Sequence, residues 1–243
     1  MASLKGPGAT SSHDGSSLRI GILHARWNGE IIEALVAGAK KSLLAAGVRE
    51  GNIVVQDVPG SFELPLGVQR MYAASQVQSS TSGSGSTSFS AGDLLGGSAS
   101  STDLTSSNPP TITTTTDTSN GSSNNNTANP STSSTSGGSS AAPFDALIAI
   151  GCLIKGQTMH FEYIAEATSH GLMRVQLDLG VPVVFGVLTV LEEAQAKERA
   201  GLTVAGAAET KEKKKKKDAG EEWGEAAVEL GCKRKEWGAG KLG

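Results

Sequence analysis

The chain has 243 residues, 37% of them hydrophobic, and a formal net charge of -3. So small a negative charge excludes a strong electrostatic pull toward nucleic acid or an anionic membrane, and two cysteines, Cys152 and Cys232, are too few for a disulfide framework. The hydrophobic share lies below the roughly 45–50% usual for a globular chain, and one polar segment causes most of the shortfall.

Residues 1–17 are rich in Gly, Ser and Pro and read as a flexible N-terminal arm, with neither a signal-peptide core nor an Arg-rich transit pattern. No apolar run is long enough to span a membrane, and a reduced, cytoplasmic protein is expected. Leu18 to His24 reads as a buried strand. Asn28 is placed to cap a helix whose apolar positions Ile31, Leu35, Ala39, Leu43 and Ala46 recur at helical spacing, and Gly47 ends it. Asn52 to Val58 is a second strand, stopped by Pro59-Gly60. Glu63 to Ala74 predicts a second helix, with Pro65 tolerated in its first turn.

From about Gln76 to Pro143 the chain is Ser, Thr, Gly and Asn in long tracts. Such a segment cannot bury enough apolar area to offset its ordering entropy, which predicts a disordered surface insert at about 76–143. A fold tolerates such an insert because loop-closure entropy grows only logarithmically. Phe144 to Ile154 follows as an unbroken apolar strand buried on both faces, with Cys152 as a small buried side chain. Met159 to Leu179 is a long helix, Val181 to Val190 a further strand, and Leu191 to Ala200 a short helix. The run Lys211 to Lys217 lies in a solvated Lys-rich loop at about 205–220, before a last helix from Glu221 to Lys235. This alternation predicts an α/β fold: a four-stranded parallel sheet covered by helices on both faces, one domain over residues 18–243.

In such sheets ligands bind beyond the carboxyl ends of the strands, so the chemistry is sought in the loops there. The stretch Lys155-Gly156-Gln157-Thr158-Met159-His160 is the most informative. Gly156 permits close backbone approach, Gln157 and Thr158 stand at a helix start that can hold an anion, and His160 either exchanges protons or caps the helix. Neither a Walker A pattern nor a Gly-x-Gly-x-x-Gly pattern after the first strand is present. Trp27 and Phe62, in a chain with 4% aromatics, either stack on a flat heterocycle or fill the core. Glu63 either accepts hydrogen bonds from ligand hydroxyls or offsets a helix dipole.

These residues converge on a family. Gly21 to Asn28, Val58 to Pro65, Ala149 to Tyr163, Gly180 to Thr189 and Glu198 to Gly201, in that order, resemble lumazine synthase, and the insert position and Trp27 resemble its filamentous-fungal members. The resemblance implies a flavodoxin-like three-layer sandwich. It implies condensation of 5-amino-6-(D-ribitylamino)uracil with 3,4-dihydroxy-2-butanone 4-phosphate to 6,7-dimethyl-8-ribityllumazine, phosphate and water, with no metal or organic cofactor. Trp27 would stack on the pyrimidine, and Ser61, Phe62 and Glu63 would hold the ribityl chain and ring edge. Leu153 and Ile154 would supply backbone contacts, and Gln157 and Thr158 would bind the phosphate. His160 would move protons. Arg199 would neutralise the phosphate and Phe185 would cover the ring, both from a neighbouring subunit of a homopentamer whose sites lie between subunits; Lys155 has no assigned role. The partners implied are small-molecule substrates, not nucleic acid or membrane.

One stretch departs from the pattern. Where the family has Asn-His-Gly or Asn-Lys-Gly before the last helix, this chain has Asp218-Ala219-Gly220, so a basic side chain is missing at Ala219 and reduced activity is expected. The longer segment between Arg199 and Gly220 is expected to hinder packing of pentamers into a shell. The alternative reading is a non-catalytic flavin- or lumazine-binding protein on the same scaffold.

Overall fold

Four runs dense in β-branched residues form the sheet: β1 (Ile20–Ala25), β2 (Ile53–Val58), β3 (Ala146–Ile154) and β4 (Val183–Val190). The structure, a computed structural model, describes residues 12–82, 141–203 and 218–242. All pairings are parallel and the strand order is β2-β1-β3-β4. The first seven residues of β3, Ala146 to Cys152, are all buried, as a central parallel strand requires.

The helices are α1 (Gly29–Ala45), α2 (Leu64–Ser82), α3 (His160–Leu179), α4 (Glu193–Arg199) and α5 (Ala219–Gly238). Strand alternation sorts the core into two layers. Ile20, Ile22, Ile148, Ile150, Val184 and Leu188 face α1, α4 and α5, whereas Leu23, Leu147, Ala149, Val183 and Val187 face α2 and α3. This is the flavodoxin-like three-layer α/β sandwich. The chain moves from β1 one way to β2, then back past β1 to β3, so the topological switch point lies between β1 and β3.

The helix stops follow from local chemistry. After α1, Gly47 (φ 91°) donates to Leu44 O and Val48 donates to Leu43 O, both at 3.0 Å, a Schellman ending. Gly201 and Leu202 repeat it after α4, donating to Glu198 O and Lys197 O. The motif Glu198-Arg199-Ala200-Gly201 is therefore also a helix stop.

Several boundaries differ from the sequence expectation. The second helix does not end at Ala74; α2 runs to Ser82, so the polar segment begins as helix. The reason is tertiary. Arg19, 5% exposed, donates from Nη2 to Gln78 Oε1 (2.7 Å) and from Nη1 to Ala142 O (2.5 Å), and lies 4.5 Å over the Phe144 ring. Ser75 Oγ also accepts from Phe144 N–H at 3.3 Å. One guanidinium thus ties both stems of the polar segment together at the amino-terminal edge of the sheet. Residues 83–140, on which most of the disorder expectation falls, lie outside the described residues, as do Lys211 to Lys217. Replacing residues 83–140 by a short Gly-Ser linker is expected to leave the thermal midpoint within about 5 °C of the wild type. Loss of the cooperative transition in calorimetry would show that the segment holds the fold.

The end of the N-terminal arm is docked, contrary to a fully loose reading. Gly15 is buried and donates to Ala46 O (2.8 Å), and Lys235 Nζ donates to Ser17 O (2.7 Å). The Lys-rich loop ends earlier than expected: Asp218 accepts from Glu221 N–H (2.8 Å) as N-cap of α5, and Ala219 and Gly220 are already helical. Among the described residues no helix is long and apolar enough to cross a membrane.

Candidate active site

The carboxyl ends of all four strands are laced together by hydrogen bonds. Arg26 N–H donates to Val58 O (3.0 Å), joining the turns after β1 and β2, and Lys155 N–H donates to Val190 O (2.9 Å), joining those after β3 and β4. Asn28 Nδ2 donates to Cys152 O (2.9 Å) across the switch point. Thr168 Oγ1, fully buried in α3, donates to Ser61 O (3.0 Å). These ties place Trp27, Ser61, Phe62, Glu63, Leu153, Ile154 and the 155–160 loop along one edge.

Within that edge, the first two loops meet over Gly60. A Cβ there would lie 3.1 Å from Glu63 Oε2 and 3.5 Å from Trp27 Cδ1, so the indole and the carboxylate share one small space. Trp27 is 72% and Phe62 57% exposed, which removes the core-filling alternative for both. Ser61 is the opposite case. It is 4% exposed, packed against Gly151 where an added Cβ would sit 2.6 Å from its Oγ, and that Oγ has no hydrogen-bond partner among the described residues. A buried hydroxyl left without a partner costs about 1–3 kcal/mol.

At the third loop, α3 begins at His160 with Met159 as N-cap and no side-chain cap bond. His160 is exposed and is not the cap. Gln157 and Thr158 stand in the bend just ahead of the helix rather than in it. Gly156 is not among the residues of positive φ, and an added Cβ there would meet open space, so glycine is not required by this chain's own fold. Lys155, which pattern reasoning left without a role, forms an ion pair with Glu162 and lies 5.7 Å from the Phe161 ring centre. The Lys155 ammonium, hydrogen-bonded to Glu162, holds that carboxyl below the usual carboxylate range. Cys152, 1% exposed, has its thiol pushed up to about 11 by burial, which keeps it neutral and unreactive.

One expected residue, Phe185, is not brought to this edge within its own chain. Phe185 lies on edge strand β4, 44% exposed, paired with Ala149 and five positions short of Val190. At about 3.3 Å per residue that is roughly 16 Å from the strand end. Arg199 is exposed at the last turn of α4, a helix fixed by the Lys197–Glu193 ion pair (2.7 Å). The departure at Ala219 is also placed: it is the first residue of α5, 6% exposed and part of the core cluster. Asn28 was expected to cap α1, but it makes no side-chain cap bond; its amide goes to β3 instead.

A parallel sheet of this order, with aromatic, acidic and helix-terminal groups along the carboxyl edge of its strands, defines a flavodoxin-like α/β protein. The family model described as 6,7-dimethyl-8-ribityllumazine synthase matches residues 17–82 and 134–235, and the chain belongs to that family. It is 56% identical over 237 residues to the 6,7-dimethyl-8-ribityllumazine synthase of Pyricularia oryzae, covering 98% of each chain. It is 36% identical over 234 residues to that of Schizosaccharomyces pombe, covering 96% of this chain and 98% of the relative. A bacterial relative of the same name, from Stenotrophomonas maltophilia, is 32% identical over 185 residues, 76% of each chain.

Proposed function

We propose that this chain is an active lumazine synthase, joining 5-amino-6-(D-ribitylamino)uracil and 3,4-dihydroxy-2-butanone 4-phosphate to give 6,7-dimethyl-8-ribityllumazine, phosphate and water. The observation that carries the reading is the meeting of the Trp27 indole and the Glu63 carboxylate over Gly60, where the loops after β1 and β2 come together, in a chain of this family.

The exposed Trp27 ring stacks on the pyrimidine. Glu63 accepts from the ribityl hydroxyls and ring edge, the Ser61 hydroxyl exchanges a hydrogen bond with them, which gives its unpartnered Oγ the missing bond, and Phe62 packs beside them. Backbone groups of Leu153 and Ile154 meet the heterocycle at the end of β3. Gln157 and Thr158 hold the phosphate ahead of the α3 N-terminus, where no side chain caps the helix and its dipole favours an anion. Imine formation expels water, the elimination expels phosphate and ring closure forms the second C–N bond, all with proton transfers and no external oxidant or reductant, and the reading invokes no metal or organic cofactor. His160, one turn from the phosphate groups, is the proton carrier.

Arg199 and Phe185 act on a neighbour's site. Phe185 stands on an open edge strand, far along β4 from the carboxyl edge of its own chain, and α3 carries the exposed apolar residues Tyr163, Met173 and Leu177. These features support a homopentamer with sites between subunits. The two free cysteines fit a reducing cytoplasm. We read residues 18–243 as one catalytic domain with a surface insertion.

Ala219, in place of a basic residue, favours a second reading, a non-catalytic lumazine or flavin binder. Mixing both substrates with the pure protein tests both. Growth of lumazine fluorescence, from a particle near five times the 24.7 kDa chain mass in light scattering, is the expected result. Binding of the product without turnover would leave only the binder, and a particle near a megadalton would overturn the free pentamer.

A further inference from the structure

We propose that Asn28 is a positioning residue of this site, holding Trp27 over the crevice through a left-handed turn and an amide bond to β3; the inference rests on the functional reading above. The Trp27 ring is 72% exposed, so the core does not fix it. What fixes it is the turn on which it stands. Asn28 has φ 61° and ψ 49°, the one non-glycine residue of positive φ among the described residues. That conformation costs roughly 1–2 kcal/mol for most L-residues, and Asn tolerates it better than most.

Three bonds converge on this residue. Its carbonyl accepts from Ile31 and Ile32 N–H, both at 3.0 Å, starting α1. Its Nδ2 donates to Cys152 O at 2.9 Å. The β1–β3 ladder ends at the pair His24–Ile150, two residues short of Cys152, because β1 has already turned away. The Asn28 amide supplies a donor where the ladder has run out. It thereby joins the Trp27 turn to the strand that continues into Leu153, Ile154 and the 155–160 loop. The stacking ring and the heterocycle contacts come from different strands, and this side chain bonds one to the other beyond the end of the ladder.

A glycine would adopt the turn at no steric cost, so the turn alone does not demand asparagine. What asparagine adds is the donor. Aspartate keeps the shape and the turn tolerance but offers a carboxylate to a carbonyl oxygen. The two substitutions therefore remove the bond while keeping the backbone, and each guards against a folding failure of the other.

Asn28→Gly and Asn28→Asp are expected to lower kcat/KM at least about tenfold, since small misplacements of reacting groups have effects of that order or larger. The loss should fall on KM for the pyrimidine, with KM for the phosphate-bearing substrate held. In a Trp223→Phe/Trp237→Phe background, where Trp27 is the remaining tryptophan, the same substitutions should lower the fluorescence anisotropy of Trp27. A folded Asn28→Asp protein with wild-type kcat/KM and wild-type anisotropy overturns the proposal. If the parent protein makes no lumazine, the functional reading fails instead, and the anisotropy alone decides whether Asn28 holds Trp27.

Discussion

Replacing His160 with alanine is expected to cut the turnover number for lumazine formation by at least about 100-fold, the usual contribution of a positioned acid–base group, with the thermal midpoint unchanged. The two halves of this expectation have separate grounds. His160 is exposed at the first residue of α3 and does not cap the helix, so its removal takes little from the fold; exposed substitutions of this kind stay within about 0.5 kcal/mol. The proposed chemistry, in contrast, needs a proton delivered to a leaving hydroxyl during imine formation and one removed during phosphate elimination. An imidazole can do both. Steady-state fluorescence at saturating concentrations of both substrates reads the effect directly. A turnover number within about threefold of wild type would remove His160 from the proton path.

The largest effect on stability is expected at Gly220. An added Cβ there would lie 2.1 Å from Leu35 O, a backbone atom of α1 that no rotamer change can move. Gly224 repeats the contact one turn on, with Ala39 O at 2.7 Å, and Gly38 meets the Asp218 carboxylate from the other side. Helices α1 and α5 therefore touch backbone to backbone. Gly220→Ala must push them apart, opening the layer that holds Leu35, Ala39, Ala227 and Val228. Overpacking in a tight core commonly costs about 1–3 kcal/mol, and with backbone as the obstacle the upper end, roughly 3 kcal/mol or more, is expected in urea unfolding. Gly238→Ala, where an added Cβ meets open space, is the matched control.

The strands and helices were legible because their signals are local. The unbroken apolar run to Ile154 marks a strand buried on both faces, and the spacing of Ile31, Leu35, Ala39 and Leu43 marks the buried stripe of α1, all four being buried. Boundaries failed where distant residues decide them. Composition ends the second helix near Ala74, but Gln78 is held by Arg19, 59 positions away, and the helix continues. The site shows the same division. Trp27, Phe62 and the 155–160 loop stand out as residue types at strand ends. The bonds that arrange them, Asn28 to Cys152 and Thr168 to Ser61, span 124 and 107 positions, and no pattern in a window of sequence contains them. Asn28 carried a signal that pointed elsewhere, since an asparagine before a helix reads as a cap. Phe185 looks like an ordinary strand residue until the strand order places it on an open edge.

Arg19 bears on how this fold can change over time. Because a single guanidinium grips Gln78 and Ala142 together, the two points where the polar segment leaves and rejoins the core are set by the core itself, at the end of the sheet remote from the crevice. Length and composition between them are then free to drift without disturbing strand register or the catalytic edge. The position acts as a docking port: a foreign domain with neighbouring termini, spliced between Ser82 and Ala141, would ride on the enzyme without entering its chemistry.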